Sequence, residues 1–371
     1  MSIQWTALDC DILSVNFSRG VALAKQPGGL IFIDERIVWI DVARGLLMAL
    51  VVMDHTLPPQ IVANLINPAA CTFFFLSGLL SKEGDFKTNL LKRFKQLIIP
   101  YYTMASVNIL IWLAVKMIVT REELNFMLID VVVNVLTVRT AVGMIPVNII
   151  PLWFVPAVFV MEIYYAILRK LRILPVGIVL GFVSMFFLCG SLPFKLDVAL
   201  AVLPYFAMGK FVKSFGILTR RVPVMMTIVS SALYVIAAAF CDEVYLMEDY
   251  FGSSPSLYIF AAVFGIIAIS GMAQLVERIE PLKRIFSLFG KRTLFVLGYH
   301  IAVGFLVYPF FDFVGDPIEI MERFWYVYWL INMAVLYLLI RFLPEPVLTI
   351  LSGSFLAKRK RSSPKHAPEK S

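Results

Sequence analysis

Apolar runs of membrane-spanning length, separated by short polar stretches, occupy most of this chain. They fall at about 39–57, 61–80, 97–119, 151–168, 173–191, 197–212, 222–240, 256–275, 294–313 and 324–343. A hydrocarbon core some 30 Å thick is crossed by roughly 20 apolar helical residues. The pattern therefore predicts an all-α, polytopic integral membrane protein with about ten transmembrane helices. The stretch 121–150 interrupts the rhythm, because the apolar segment 126–136 is too short for a crossing and Gly143 and Pro146 follow it. An outer loop with a short interfacial or re-entrant helix fits there.

The polar stretches differ in sign. Lys82, Lys87, Lys92, Arg93 and Lys95 crowd one connection, read here as a loop, and Arg169, Lys170 and Arg172 another. Lys213, Arg220 and Arg221, then Arg278, Lys283, Arg284, Lys291 and Arg292, mark two more. The alternate connections carry Lys195, then the acidic Asp242, Glu243, Glu248 and Asp249, then Asp316, Glu319, Glu322 and Arg323. Cytoplasmic loops are enriched in Lys and Arg, so this alternation puts both termini inside.

Composition agrees with the pattern: 60% of the 371 residues are hydrophobic and 16% charged, against roughly half apolar in soluble domains. Three parts are expected, namely a cytoplasmic tail 1–35, a transmembrane domain 36–345, and a basic, disordered cytoplasmic tail 346–371 able to touch anionic lipid. The net charge of +8 sits in the connections between apolar runs, where it reports orientation and not nucleic-acid binding. The four cysteines have no metal-ligand or disulfide spacing. There is no phosphate-binding Gly-rich loop, His-Glu-x-x-His pair or Gly-x-Ser-x-Gly elbow, which argues against an ATPase, a zinc protease and a serine hydrolase. Cys71 stays open as a covalent nucleophile.

Candidate chemistry concentrates in the first apolar run. Asp41, Arg44, Asp54 and His55 lie at its start or inside it, where an ionisable group is costly unless it has a partner or a task. Asp41 precedes Arg44 by one turn and is placed to pair with it. Arg44 and His55 are about three turns apart on one helix face. Of the three histidines, His366 is in the tail, leaving His55 and His300 for proton transfer near neutral pH. Trp153 reads as an interfacial aromatic, and Glu162, two and a half turns further on, falls on the opposite side of the same helix. These residues alone leave three readings open: an enzyme site, a secondary transporter or flippase with Asp41, Arg44, Asp54 and His55 along its path, or a buried polar set that fixes packing.

Several blocks in order carry a resemblance. They are Arg36-Ile37-Val38-Trp39-Ile40-Asp41, then Arg44 and His55 ten residues apart, then Phe73-Phe74-Phe75-Leu76-Ser77-Gly78. Lys92-Arg93-Phe94-Lys95 up to Pro100-Tyr101 follows, then Pro151-Leu152-Trp153-Phe154-Val155-Pro156, Leu203-Pro204-Tyr205-Phe206 with Gly209, and Gly290-Lys291-Arg292-Thr293-Leu294 with His300. Together they resemble the membrane acyltransferase type 3 family, most of all its fucose 4-O-acetylase-like and polysaccharide O-acyltransferase subgroup. The resemblance implies a bacterial inner-membrane enzyme that binds no permanent cofactor. Its donor would be acyl-CoA, most often acetyl-CoA, and its acceptor a sugar hydroxyl of a surface polysaccharide or of its lipid-linked precursor. Membrane lipids and the polysaccharide export or polymerisation machinery are the further partners expected. His55 takes the place of the family's catalytic histidine, with Asp54 beside it. Arg44 and Arg93, with Lys92 and Lys95, would hold the donor, while Asp41, Trp153, Glu162 and His300 would support the substrate or the site. Relatives commonly have Trp-Ser-Leu with a glutamate close behind; here Trp153-Phe154 is followed by Glu162 after a longer interval.

Overall fold

The computed structural model describes residues 20–26, 29–35, 37–81, 84–115, 117, 128–139, 145–187, 190, 192–216, 221–312 and 322–356, with side chains from residue 37 onward except those of 128 and 307–312. Lys82, Arg220, Asp316, Glu319, His366 and residues 357–371, on which some of the expectations fall, lie outside these. The described chain is helical apart from one antiparallel hairpin, β1 (Gly20–Gln26) and β2 (Gly29–Glu35), within the expected N-terminal tail. Among the described residues five helical stretches are long and apolar enough to cross a membrane: Gln60–Leu80, Phe86–Ala114, Val147–Lys170, Pro255–Val276 and Trp325–Phe342. Leu174–Phe187, Val224–Ala239 and Thr293–Leu306 are shorter apolar helices.

The first helix, α1 (Val38–Asp54), carries three charged residues over its 17 positions. His55 is not inside it but closes it as the C-cap, and Leu57 (φ 54°) with Pro58 and Pro59 turns the chain. From Gln60 the chain is helical to Leu80, as α2 (Gln60–Ile66), a tighter turn and α3 (Cys71–Leu80).

The basic connection expected as a loop is helical. α4 (Phe86–Arg93) starts on Asp85, whose carboxylate accepts from the Thr88 backbone N–H at 2.9 Å, which satisfies one of the donors a helix N-terminus leaves open. A wider π turn, Phe94–Ile98, joins it to α5 (Ile99–Ala114) without a break. Lys87, Lys92, Arg93 and Lys95 therefore sit on one continuous helix that enters the apolar layer. Further on, α6 (Leu128–Leu136) is the short helix expected in the interrupted stretch, tied to α5 by Tyr101 and Tyr102, whose hydroxyls donate to the carbonyls of Val135 and Leu136.

A tight turn, Val147–Trp153, leads into α7 (Phe154–Lys170), followed by α8 (Leu174–Phe187). The sixth apolar run divides into α9 (Leu196–Ala201) and α10 (Leu203–Ser214) at Val202, just ahead of Pro204. α11 (Val224–Ala239), α12 (Pro255–Val276), α13 (Glu280–Lys291), α14 (Thr293–Asp312), α15 (Trp325–Phe342) and α16 (Glu345–Leu351) complete the order. α16 occupies the start of the segment expected as a disordered tail. It is held there because the Tyr299 hydroxyl donates to the Leu351 carbonyl, Arg292 pairs with Glu345, and Gly353 lies against Pro100.

Glycines set two of the closest helix pairs. On the α1–α13 pair a Cβ on Gly45 would fall on the Phe286 carbonyl, and one on Gly290 on the Asp41 carbonyl. On the α3–α10 pair Gly78 meets the Phe206 backbone and Gly209 the Phe75 backbone in the same way. Apolar surface gives little drive between helices in lipid, so backbones that approach through small residues gain dispersion contact that larger side chains would prevent. α13 is strongly amphipathic, with Glu280 between Lys283 and Arg284 on its polar side, and it covers the part of α1 that bears Asp41 and Gly45.

Candidate active site

His55 faces a cavity of about 220 Å³. Its Nδ1 lies 2.8 Å from the Val51 carbonyl. A carbonyl only accepts, so Nδ1 carries a hydrogen; in the neutral ring Nε2 then keeps its lone pair, the form a general base needs. α1 creates this arrangement by ending here, because a residue at the C-cap can turn its ring back onto the last open carbonyls. Asp54 also lines the cavity. The wall includes Leu47, Met48, Leu50 and Val51 of α1, Ile66, Asn67, Ala69, Ala70 and Phe73, Trp153 and Phe154, Val244 to Met247 of the connection after α11, and Thr293 and Leu297 of α14.

The structure brings His300 to this point. Its ring stands edge-on to that of His55, with centroids 4.9 Å apart and planes 75° apart. Its Nδ1 lies 3.0 Å from the Val296 carbonyl and 3.1 Å from that of Leu297, so its Nε2 is also the unprotonated nitrogen. That Nε2 is buried and has no hydrogen-bond partner. Trp329 closes the other side of α1, its indole N–H donating to the Ala49 carbonyl at 2.9 Å.

A second cavity, of about 640 Å³, lies among α4, α7 and α10 and is basic. Lys92, Arg93, Arg169, Lys170 and Lys210 line it, with one carboxylate, Glu162. The Arg93 guanidinium holds Glu162 with two donors, Nε to Oε2 at 2.7 Å and a terminal nitrogen to Oε1. This fork fixes the arginine plane. The π turn directly after Arg93 rotates the following residues relative to a regular helix; such turns recur at functional sites.

α7 links the two places. Phe154 at its start lines the His55 cavity and packs on Phe73 and Phe74, with centroids 5.4 and 4.9 Å apart, while Glu162 lines the basic cavity. Eight residues of helix separate them, about 12 Å along the axis. Trp153 is thus with His55 and Glu162 with Arg93, separated along the helix axis. Asp41 is buried and Arg44 half-buried on the stretch of α1 beneath α13, and neither lines either cavity. Lys95 is exposed and outside the basic lining. Cys71 is fully buried against the Tyr258 hydroxyl at 3.2 Å and lines neither cavity.

Sequence reasoning missed Lys210, Arg169 and Lys170 as site residues, having taken the last two as orientation signals only. The signal for Lys210 was available, since it stands inside an apolar run next to Gly209. It also missed the connection over the His55 cavity. There Tyr245 and Tyr250 form a short β-bridge, and the buried Lys195 ammonium donates to the Met247 carbonyl at 2.8 Å. Asp249 lies beneath it with both carboxylate oxygens buried and unpartnered. Burial first, then the charge of Asp197, pushes the Asp249 carboxyl up to about 8, and burial holds the Lys195 ammonium below the usual lysine range.

The described chain is thus a bundle of apolar helices with His55 at one cavity and clustered cations at another. A family model described as an acyltransferase domain (Acyl_transf_3) matches residues 37–343, and the chain belongs to that family. It is a membrane acyltransferase, an enzyme that transfers groups other than aminoacyl groups. Comparison with curated proteins and with solved structures finds no match. Among the described residues no group of three or more His, Cys, Asp or Glu side chains is placed to hold a metal ion.

Proposed function

We propose that this enzyme is a bacterial inner-membrane O-acyltransferase of the fucose 4-O-acetylase-like subgroup. It moves an acyl group, acetyl by preference, from cytoplasmic acyl-CoA to a sugar hydroxyl of a surface polysaccharide or its lipid-linked precursor. The observation that carries the reading is the pair of cavities joined by α7, one holding an unprotonated imidazole nitrogen and the other five cationic side chains. Donor phosphates suit the second, because guanidinium and ammonium groups form charge-assisted hydrogen bonds to them. The thioester then extends toward His55. There Nε2 takes the hydroxyl proton as the acceptor oxygen attacks the thioester carbonyl, the carbon–sulfur bond breaks, and the proton passes to the leaving thiolate. Holding both reactants in one place supplies much of the rate. Glu162 keeps Arg93 oriented, and Asp54 supports His55. Donor contacts by Arg44 and Lys95 rest on the resemblance alone, whereas ten spans with both termini cytoplasmic rest on the apolar runs and the alternation of basic connections.

The test is release of free coenzyme A from acetyl-CoA by purified protein supplied with a glycolipid extract of the source cells. His55→Ala is expected to lower kcat about 10²- to 10⁴-fold, the worth of a general base. Arg93→Met is expected to raise the KM for the donor with a smaller change in kcat. Failure of the wild-type protein to consume acyl-CoA of any chain length would sink the proposal.

A further inference from the structure

The lining of the His55 cavity bears on which acyl group is transferred. Its walls are aliphatic and aromatic almost throughout, with Met48, Leu50, Phe73, Trp153 and Leu297 among them. Its charged member is an acid, Asp54, and among the described residues no Lys or Arg lines it. Lys92, Arg93, Arg169, Lys170 and Lys210 line the other cavity, whose Glu162 is about 12 Å along α7 from Phe154. The nearby Lys195 ammonium is engaged behind the lining by the Met247 carbonyl. At about 220 Å³ it is larger than the cavities of about 150 Å³ that stay dry and take up benzene, so size does not limit it to a two-carbon group.

We infer that the enzyme transfers neutral acyl groups and rejects dicarboxylic ones of the same length, the selection being made by charge at the His55 cavity. This rests on the acyltransferase reading above and names the substrate class of that same site. The reason is desolvation. For the thioester carbonyl to reach His55, the rest of the acyl chain must lie among these apolar side chains. A butyryl chain there loses only water contacts that it gains by shedding. A succinyl chain would bring a carboxylate with no cation among the described lining residues to meet it and with Asp54 in the same wall, and an unpaired charge in such surroundings is strongly disfavoured. A sugar ring is equally ill-suited to this lining, which offers few hydrogen-bonding groups beyond Asn67, Tyr245 and Thr293. The acceptor hydroxyl therefore comes to His55 from the cavity mouth.

The experiment compares acetyl-, butyryl- and succinyl-CoA at one concentration of the same glycolipid extract, reading free coenzyme A and acyl-labelled product. Because the acceptor is common to every arm, the ratios report the acyl pocket. The expected result is turnover with acetyl- and butyryl-CoA, and kcat/KM for succinyl-CoA lower than for butyryl-CoA by on the order of 10²-fold or more. Asn67→Lys, which adds a cation to the lining, is expected to narrow that ratio at least tenfold, whereas Asn67→Gln leaves it unchanged; a cation that moves the ratio no more than glutamine does would count against the inference. Succinyl-CoA turned over within tenfold of butyryl-CoA by the wild-type protein would overturn it and leave the acyltransferase reading standing. No turnover of any donor would overturn both.

Discussion

At the scale of single residues, the site depends on which nitrogen carries a hydrogen. Backbone carbonyls at Val51 and Val296 settle this for His55 and His300 in the same way, leaving two unprotonated Nε2 atoms on rings in edge contact. When His55 takes a proton it becomes a cation beside a buried acceptor that has no other partner. His300→Phe keeps the ring contact and deletes the acceptor. It is expected to lower kcat about 10- to 100-fold, the worth of one hydrogen bond to a charged group, with the donor KM unchanged; a purely structural role would instead lower the yield of folded protein and leave kcat per folded molecule intact.

Asp249 makes a second prediction at this scale. Its carboxyl ionises near 4 in the unfolded chain and at about 8 in the fold. Between those values the folded state holds a proton that the unfolded state has released, so stability falls as pH rises through that window and levels off above it. Asp249→Asn removes this contribution. Thermal melts in detergent from pH 5 to pH 8 should show a steeper fall in Tm for wild type than for the variant, and parallel curves would contradict the assignment.

At the scale of elements, close helix pairs position the functional residues. α13 reaches the backbone of α1 through Gly45 and Gly290, and so fixes the height and rotation of the helix that ends in His55. Gly290→Val would drive two methyl groups into the Asp41 backbone. The expected cost is about 1–3 kcal/mol or more, as for overpacked cores, read as a lower Tm together with reduced activity. Gly190→Ala is the control, since a Cβ there meets nothing within 4 Å; an equal loss in both variants would mean that glycine flexibility, not packing, is the cause. The π turn after Arg93 acts on a different helix. It lets α4 and α5 run on as one element while Arg93 points across to Glu162.

For the whole molecule, the proposal predicts a sidedness. If the basic cavity opens to the cytoplasm, the turn after α7 lies inside and the connection before α12 outside. Leu171→Cys and Ser254→Cys, both exposed positions, test this with a membrane-impermeant maleimide. Intact cells should label Ser254→Cys, and Leu171→Cys should label only after permeabilisation. The reverse pattern would invert the proposed topology and move the donor to the other face.

The sequence by itself determined what depends on local pattern. Runs of apolar residues of helical length make the chain a helical membrane protein, because lipid leaves no other partner for backbone N–H and C=O groups within such runs. The charged residues of the first run were conspicuous for a similar reason, since each is costly in lipid. What the tertiary structure decided lies across the chain. Arg93 and Glu162 are 69 residues apart, and the residue pattern places Glu162 on a helix face without saying which helix meets it. His300 is in the sequence one of two intramembrane histidines, and only the packing of α14 sets its ring against His55. Lys87 to Lys95 read as loop because charge density outweighed helix propensity and the Asp85 cap. The connection from Val244 to Met247 has no periodicity to announce it, and it joins the site only because Lys195, buried at the start of α9, holds the Met247 carbonyl. Periodicity and charge act within one element and are legible in order, whereas which faces meet depends on the fit of glycines and side chains between helices, and that is settled only when the chain is packed.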